Sequence, residues 1–147
     1  MGIFQGTNAL ALDAKGRMIV PQRYRDALAD HCGGALTLIK HQDRCLQLLP
    51  RSVWETFRDK LLALPKSADG IRRLYVGSAV DVDLDSAGRI LLSAELREYA
   101  NITRDVLLVG VGKNFEIWDA RTHADREAQL LAAASAGDLD LPADLSF

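Results

Sequence analysis

The hydrophobic and polar positions of this chain follow one pattern twice. Leu12 to Leu28 reads Leu-Asp-Ala-Lys-Gly-Arg-Met-Ile-Val-Pro-Gln-Arg-Tyr-Arg-Asp-Ala-Leu, and Leu84 to Ala100 begins Leu-Asp-Ser-Ala-Gly-Arg-Ile-Leu-Leu, at an offset of 72 residues. The residues identical between the copies are Leu12/Leu84, Asp13/Asp85, Gly16/Gly88, Arg17/Arg89 and Arg25/Arg97. Positions 18–20 and 90–92 are apolar in both. A repeat of this length in 147 residues predicts two copies of one supersecondary unit.

Each copy has the residue order that is typical of a strand, a hairpin turn, a second strand and a short helix. Asp13 and Asp85 begin the turns, where an aspartate side chain can bond the backbone two residues on. Gly16 and Gly88 supply the positive φ that closes such a turn. Pro21 ends the second strand of the first copy because proline has no N–H to donate. Apolar residues at helical spacing then predict a helix.

Further short apolar segments predict the rest of a sheet. Residues 4–11 lead into the first turn, Ala35 to Ile39 and Cys45 to Leu49 follow the first unit, and Val106 to Val109 and Phe115 to Trp118 follow the second. Each copy is too small to bury a core alone, so the pair is expected to pack as one pseudo-symmetric β unit. The predicted fold class is mainly β with flanking helices (α+β).

The chain divides into four predicted segments. Repeat 1 covers residues 7–54, a helical linker covers 55–78, repeat 2 covers 79–122, and a C-terminal helix with a flexible tail covers 123–147. The polar stretch at 66–70 is the expected boundary between the copies.

Composition is that of an ordinary soluble globular chain, at 48% hydrophobic and 26% charged residues. No apolar run approaches the ~20 residues that a membrane span needs. The first residues lack the basic and apolar regions of a signal peptide, so we expect a cytoplasmic protein without a membrane partner. Cys32 and Cys45 are expected to be free thiols in that compartment.

The net charge of −2 conceals an uneven distribution. Residues 1–75 carry a balance of +5, and residues 76–147 carry −7. A basic half in an acidic protein indicates a surface that faces a polyanion, with the other half able to face a partner subunit. Ordinary solvated charge is the alternative explanation.

One stretch of the first copy resembles a known family signature. It reads Gly16-Arg17-Met18-Ile19-Val20-Pro21 and is followed by Arg23, Tyr24 and Arg25. This stretch is similar to the signature of the SpoVT/AbrB DNA-binding superfamily. Two tandem units, each with an Asp-x-x-x-Arg motif, resemble the MraZ family within it. Further matching stretches are Phe4-Gln-Gly-Thr, Cys45-Leu-Gln-Leu-Leu-Pro, Gly77-Ser-Ala, Gly88-Arg-Ile-Leu-Leu, Leu96-Arg-Glu-Tyr-Ala and Lys113-Asn-Phe-Glu-Ile-Trp-Asp. The resemblance covers residues 4 to 122.

This resemblance implies a swapped-hairpin β-barrel built from the two copies, with helices packed outside. Family members form ring-shaped homo-oligomers that associate with the nucleoid. They bind direct repeats in double-stranded promoter DNA upstream of the bacterial division and cell wall gene cluster, and regulate its transcription, usually as repressors. The resemblance implies no enzymatic activity, cofactor or small-molecule substrate. Another AbrB-type promoter regulator or an antitoxin is the close alternative, although such proteins usually carry one unit per chain.

Three positions depart from the family pattern. Gln5 stands where many members carry arginine, and Ser93 replaces the proline expected in the second copy. Ala87 stands where the first copy has Lys15. The second copy is therefore expected to be less suited to gripping a DNA backbone.

The candidate DNA-binding residues are basic side chains at or just after the turns. They are Lys15, Arg17, Arg23, Arg25 and, more weakly, Arg89. Hairpins and β-ribbons can enter the major groove, where arginine pairs bidentately with guanine or with phosphate. Arg17 is the main candidate, and a purely structural pairing with Asp13 is the alternative. That alternative fits Arg89 better, because Arg89 lies in the acidic half.

Other chemistries fit the sequence less well. An enzyme using the Asp–Arg pairs would need a second positioned titrating group and a pocket, and the sequence shows neither. A calcium loop beginning at Asp81 would need glycine at Ser86 and glutamate at Leu92. No zinc module has the spacing of the remaining candidate ligands, which are His31, Cys32, His41 and Cys45. No metal site is predicted.

Overall fold

The computed structural model describes residues 3–139 and 142–145. The strands of this part are β1 (Phe4–Ala11), β2 (Arg17–Ile19), β3 (Ala35–Lys40), β4 (Leu46–Pro50), β5 (Val80–Asp83), β6 (Arg89–Leu91), β7 (Asp105–Gly112) and β8 (Phe115–Asp119). The α-helices are α1 (Gln22–Cys32), α2 (Arg51–Leu62), α3 (Asp69–Tyr75), α4 (Ala94–Tyr99) and α5 (Ala120–Ser135). Short 3₁₀ turns lie at Lys66–Ala68 and Ala143–Leu145.

Six strands form one antiparallel sheet, and the remaining two pair separately. The order of the large sheet is β1-β7-β8-β4-β3-β5, and β2 pairs with β6. Strands β3 and β4 pair as neighbours, as do β7 and β8, where the apolar segments predicted strand partners. A mainly β fold with flanking helices is confirmed. Because β1 and β5 are the two ends of the large sheet's strand order, the closed swapped-hairpin barrel stays a prediction.

The two strands joined by each turn pair with strands of the other copy. β1 pairs with β7, and β5 pairs with β3. β2 pairs with β6 in a register that sets Met18 against Ile90. The expectation of a local hairpin is therefore wrong about the pairing, although the turn itself forms. The exchange has a physical reason, because it lets the apolar side chains of both short strands enter one shared core.

The main core joins the two copies. Met18 and Val20 from the first copy and Ile90 and Leu92 from the second are at most 1% exposed, and they share this core with Phe115. Side chains alternate along a strand, so the intervening residues face outward. Burial of each large apolar side chain contributes about 1.5–3 kcal/mol, which neither copy could obtain without the other.

A smaller core lies beneath α2 and α3. Ile39, Leu49 and Trp54 are buried there, and Phe57 and Tyr75 pack against them. The helices between the repeats therefore cover the outer side of β3 and β4. No helix in the described ranges is both long and apolar enough to cross a membrane.

The C-terminal region begins with a capped helix, α5. The carboxylate of Asp119 accepts a hydrogen bond from the Thr122 N–H at 3.0 Å and so caps the N-terminus of α5. The predicted flexible tail falls partly on residues 140, 141, 146 and 147, which lie outside the described residues. The division into segments 7–54, 55–78, 79–122 and 123–147 stays a prediction.

The strand that leads into the first turn, β1, passes close to a glycine of β7. A Cβ on Gly110 would lie 2.5 Å from the backbone nitrogen of Gln5 and 2.6 Å from the carbonyl carbon of Phe4. Backbone atoms cannot yield without shifting β1, so Gly110→Ala is expected to lower the free energy of unfolding by about 1–3 kcal/mol. Urea denaturation followed by tryptophan fluorescence measures the change.

Gly70→Ala is the matched control. A Cβ on Gly70 in α3 would meet nothing within 4 Å. This change is expected to be neutral or to stabilise by up to about 1 kcal/mol, because alanine restricts the unfolded chain. Equal destabilisation by the two changes would contradict the close approach of β1 to β7.

Candidate nucleic-acid interface

The first turn is closed by the side chain of Asp13. Its Oδ1 accepts the backbone N–H groups of Lys15 and Arg17, both at 2.9 Å. Its Oδ2 accepts from Arg17 Nε at 2.7 Å. The Gly16 N–H donates to the Asp13 carbonyl at 3.0 Å, and Gly16 has a φ of +83° that residues with a Cβ rarely adopt. This is the geometry that the sequence predicts for Asp13 and Gly16.

The second turn repeats this arrangement almost bond for bond. Asp85 Oδ1 accepts the N–H groups of Ala87 at 2.9 Å and Arg89 at 2.8 Å, and Oδ2 accepts from Arg89 Nε at 2.9 Å. Gly88 has a φ of +77°. The two copies therefore share one turn structure despite the different residues between their aspartate and glycine.

These hydrogen bonds change the titration of both aspartates. The N–H of Arg17 lowers the pKa of Asp13 below its usual 3.8, and the N–H of Arg89 does the same for Asp85. Both carboxylates are thus charged at neutral pH and hold the neighbouring arginine. A general acid or base has its pKa near the working pH, so these carboxylates suit a structural role better than proton transfer.

The small sheet presents an outward surface of arginines and aliphatic residues. We call Arg17, Ile19, Arg89 and Leu91 the β2–β6 face. Ile19 and Leu91 are 52% and 51% exposed, and the Arg17 and Arg89 side chains are 29% and 30% exposed. In the described ranges only Nε of each arginine is paired, so the terminal nitrogens of both guanidinium groups can donate to an anion or a base edge.

The surroundings of the two turns differ in charge. The Lys15 side chain is exposed and takes part in no ion pair within the described ranges, whereas Ala87 occupies the equivalent position. The strand before the second turn carries Asp81 and Asp83, each 3.6 Å from the Arg51 guanidinium. The first turn is therefore the more electropositive of the two.

Arg23 lies over β1. Its Nη2 donates to Asn8 Oδ1 at 2.7 Å and to the Tyr24 hydroxyl at 2.6 Å, and its guanidinium carbon is 4.5 Å from the Tyr24 ring centroid. The Tyr24 hydroxyl in turn donates to the Gln5 carbonyl at 2.6 Å. No hydrogen bond among the described residues joins Arg23 to the first turn, so Arg23 is a separate exposed cation beside the β1 edge.

Arg25 lies on the second turn, although it belongs to the first copy. Its Nη1 donates to the Ala87 carbonyl at 3.3 Å, and its side chain covers Gly88 so closely that a Cβ there would overlap Arg25 Cδ. The structure therefore brings Arg25 together with Arg89 at one turn and separates it from Lys15 and Arg17 at the other.

Arg97, the repeat partner of Arg25, lies on the first turn. A Cβ on Gly16 would be 2.9 Å from both Nε and Cζ of Arg97, and Nε donates to the Leu92 carbonyl at 3.0 Å. The sequence repeat matches Arg25 with Arg97, but it indicates no site for Arg97. The identity of Arg25 and Arg97 indicates that each arginine contacts the other copy's turn only once the exchanged pairing of β2 with β6 is known.

Comparison with known proteins decides the family. The family model described as "MraZ protein, putative antitoxin-like" matches residues 3–76 and again residues 75–140. The chain belongs to the MraZ family. Relatives named Transcriptional regulator MraZ include one from Burkholderia mallei (strain SAVP1), 54% identical over 130 residues, which cover 88% of this chain and 92% of the relative. One from Acidovorax sp. (strain JS42) is 48% identical over 99% of this chain and 100% of the relative.

The two matched ranges correspond to the two units of the MraZ family. The Asp13–Arg17 turn lies in the first range, and the Asp85–Arg89 turn lies in the second. The tandem repeat inferred from the sequence is thus confirmed, with one Asp-x-x-x-Arg turn in each unit.

The turn carboxylates of this MraZ-family chain predict a specific acid sensitivity. A carboxyl group whose folded pKa is depressed stabilises the fold above its unfolded pKa, and this stabilisation is lost as pH falls through the folded value. The pKa values of Asp13 and Asp85 are both depressed below 3.8. The double variant Asp13→Asn/Asp85→Asn is expected to be less stable at pH 7 and to lose less free energy of unfolding below pH about 4 than the wild type does.

Urea denaturation at a series of pH values between about 2.5 and 7 measures this difference. Asp30→Asn removes a carboxylate from α1 without touching either turn and controls for the loss of charge. An acid-induced loss of stability identical in the wild type and the double variant would show that the turns do not depend on the carboxylates.

Proposed function

We propose that this chain is a sequence-specific transcriptional regulator that binds double-stranded promoter DNA through its first turn. The observation that supports this most directly is the presence of two cations side by side, Lys15 in the first turn and Arg17 at the start of the two-stranded β2–β6 sheet. Lys15 is unpaired in the described part of the chain, and Arg17 has only Nε engaged. The relatives named as transcriptional regulators support the same function.

Asp13 is proposed to orient Arg17 for DNA. An arginine whose Nε is held by a carboxylate has already lost part of its side-chain freedom, so less entropy is lost when its fork meets a base or phosphate. The two terminal nitrogens remain to pair with guanine O6 and N7 or with phosphate oxygens. Two-stranded β-ribbons can enter a major groove, and Arg17 lies at the start of the two-stranded β2–β6 sheet.

The second turn is proposed to contribute less. It has the same Asp–Arg pair, but Ala87 supplies no cation and Asp81 and Asp83 add negative charge nearby. Arg89 is therefore a weaker DNA contact than Arg17. Arg23 is proposed as a flanking phosphate contact, and Arg25 as a contact at the second turn rather than the first.

Assembly is proposed to supply the remaining affinity. A ring-shaped homo-oligomer would present many first turns to direct repeats, so that the individual contacts act together. Leu130 and Leu131 on α5 are 50% and 62% exposed, as expected for residues that another chain could cover. The exchanged pairing of β2 with β6 supports the swapped-hairpin barrel as the core of each subunit.

The proposed targets are promoter direct repeats upstream of the division and cell wall gene cluster, in the cytoplasm at the nucleoid. Occupation of a promoter by a ring would exclude the transcription machinery and repress it. A non-enzymatic role without a cofactor is part of the proposal, because each turn carboxylate is engaged by an arginine and backbone N–H groups.

Arg17→Ala tests the site against its own repeat. Arg17→Ala is expected to weaken binding to promoter DNA about tenfold or more, which is the size of one lost base or phosphate contact. Arg89→Ala is the matched control, since it removes the same ion pair from the same kind of turn, and it is expected to weaken binding less. Fluorescence anisotropy on the promoter upstream of its own gene and on a scrambled duplex measures both, with light scattering to check the oligomer.

Two outcomes would contradict the proposal. Absence of any preference for the promoter over the scrambled duplex at low salt would remove sequence-specific regulation. A greater loss of DNA affinity for Arg89→Ala than for Arg17→Ala would show that the main DNA contact lies in the second copy.

Lys15→Ala separates phosphate binding from base reading. Because Lys15 is exposed and forms no ion pair with another described residue, its removal is expected to leave stability unchanged. Affinity for promoter and scrambled DNA should fall by similar factors, and the slope of log affinity against log salt should become smaller by about 1 per binding chain. An unchanged salt slope would show that Lys15 contacts no phosphate.

A further inference from the structure

We propose that Arg97 of the second copy is the positioning residue of the first turn. This inference rests on the proposed function, because it concerns the same DNA-binding turn. It gives the second copy a role in the first turn, in addition to the weaker DNA contact proposed for the second turn.

The contacts form a short chain from Arg97 to the turn. Arg97 Nε donates to the Leu92 carbonyl at 3.0 Å, and the Leu92 N–H donates to the Gly16 carbonyl at 3.0 Å. The guanidinium also covers Gly16 directly, with Nη2 at 3.1 Å from where a Cβ would lie. Gly16 stands between Lys15 and Arg17, so Arg97 supports the backbone that aims both candidate DNA contacts.

The requirement for glycine has a second cause at this position. A positive φ already favours glycine, and the approach of Arg97 fills the space that a side chain would need. A turn clamped in this way from outside has fewer conformations to lose when it binds.

Arg97 also changes the charge of the first turn. Asp13, Lys15 and Arg17 together carry +1, and Arg97 raises this to +2. The corresponding cation at the second turn is Arg25, which brings that turn only to +1 because Ala87 is neutral. With Arg97 and Arg25 included, the first turn therefore still carries a larger positive charge than the second.

Arg25 provides a matched control with the same chemistry at the other turn. Its Nη1 donates to the Ala87 carbonyl at 3.3 Å, but its buried Nε has no hydrogen-bond partner in the described structure. The Val20 N–H donates to the Gly88 carbonyl at 2.9 Å, as the Leu92 N–H does to Gly16. Substitution at either arginine therefore removes one guanidinium from one exchanged turn.

The test compares Arg97→Met, Arg97→Lys and Arg25→Met. Methionine keeps much of the apolar stem of arginine, and lysine keeps the charge without an Nε at the bonding position. Arg97→Met is expected to weaken promoter binding about tenfold, as for a lost first-turn contact, and Arg25→Met by a smaller factor, because Arg25 lies at the second turn, which is proposed to contribute less. Arg97→Lys is expected to keep the wild-type salt slope but to remain several-fold weaker.

Amide hydrogen exchange by NMR supplies a readout that does not involve DNA. Arg97→Met is expected to speed exchange of the Leu92 amide while the Val20 amide is unchanged, and Arg25→Met is expected to do the reverse. General destabilisation would speed both amides in both variants.

Each outcome has a defined meaning. Unchanged Leu92 exchange in Arg97→Met, or equal loss of DNA binding in Arg97→Met and Arg25→Met, would overturn the positioning role. Wild-type binding by Arg97→Met while Arg17→Ala binds poorly would also overturn it. If Arg17→Ala itself binds as the wild type does, the proposed DNA site fails, and the exchange experiment still decides whether Arg97 holds the turn.

Discussion

The structure depends on the exchanged pairing of β2 with β6. Each strand has only three residues, too few to form a stable ladder alone. Pairing sets Met18 against Ile90 inside the shared core, and the bonds from Val20 to Gly88 and from Leu92 to Gly16 join each strand to the other copy's turn. The pairing therefore fixes the fold and the position of both turns by the same contacts.

This arrangement explains which repeat positions are identical and which have diverged. The Asp, Gly and Arg of each turn form the same set of hydrogen bonds, and the exchanged fold contains this set once in each copy. Surface positions are not constrained in this way. Lys15 is matched by Ala87, and Arg23 is matched by Glu95, which pairs instead with Lys40 at 3.2 Å. The fold is symmetric while the surface charge is not, and that asymmetry favours one copy for a polyanion.

The turns and the pairs of adjacent strands could be predicted from the sequence pattern, whereas the pairing of strands that are distant in the chain could not. The turns follow from Asp and Gly spacing, and the β3–β4 and β7–β8 pairs follow from adjacent apolar segments, because both depend on nearby residues. The partner of β2 depends on a strand 72 residues away, and a local hairpin would have satisfied the same pattern. For the same reason the sequence groups Arg25 with Arg17, although the exchange places Arg25 at the other turn.

The structural and the DNA-binding interpretations of the Asp-x-x-x-Arg motif are compatible. Asp13 and Arg17 form a structural pair through Nε at 2.7 Å, but a guanidinium has three nitrogens, and among the described residues only Nε of Arg17 has a hydrogen-bond partner. A carboxylate that accepts from Nε leaves the two terminal nitrogens available to donate, and its own negative charge is balanced by the arginine it binds. Lys15 and Arg97 then leave an excess of positive charge beside that fork. The second turn lacks this excess, so an identical ion pair there is sufficient for structure without being equally suited to DNA.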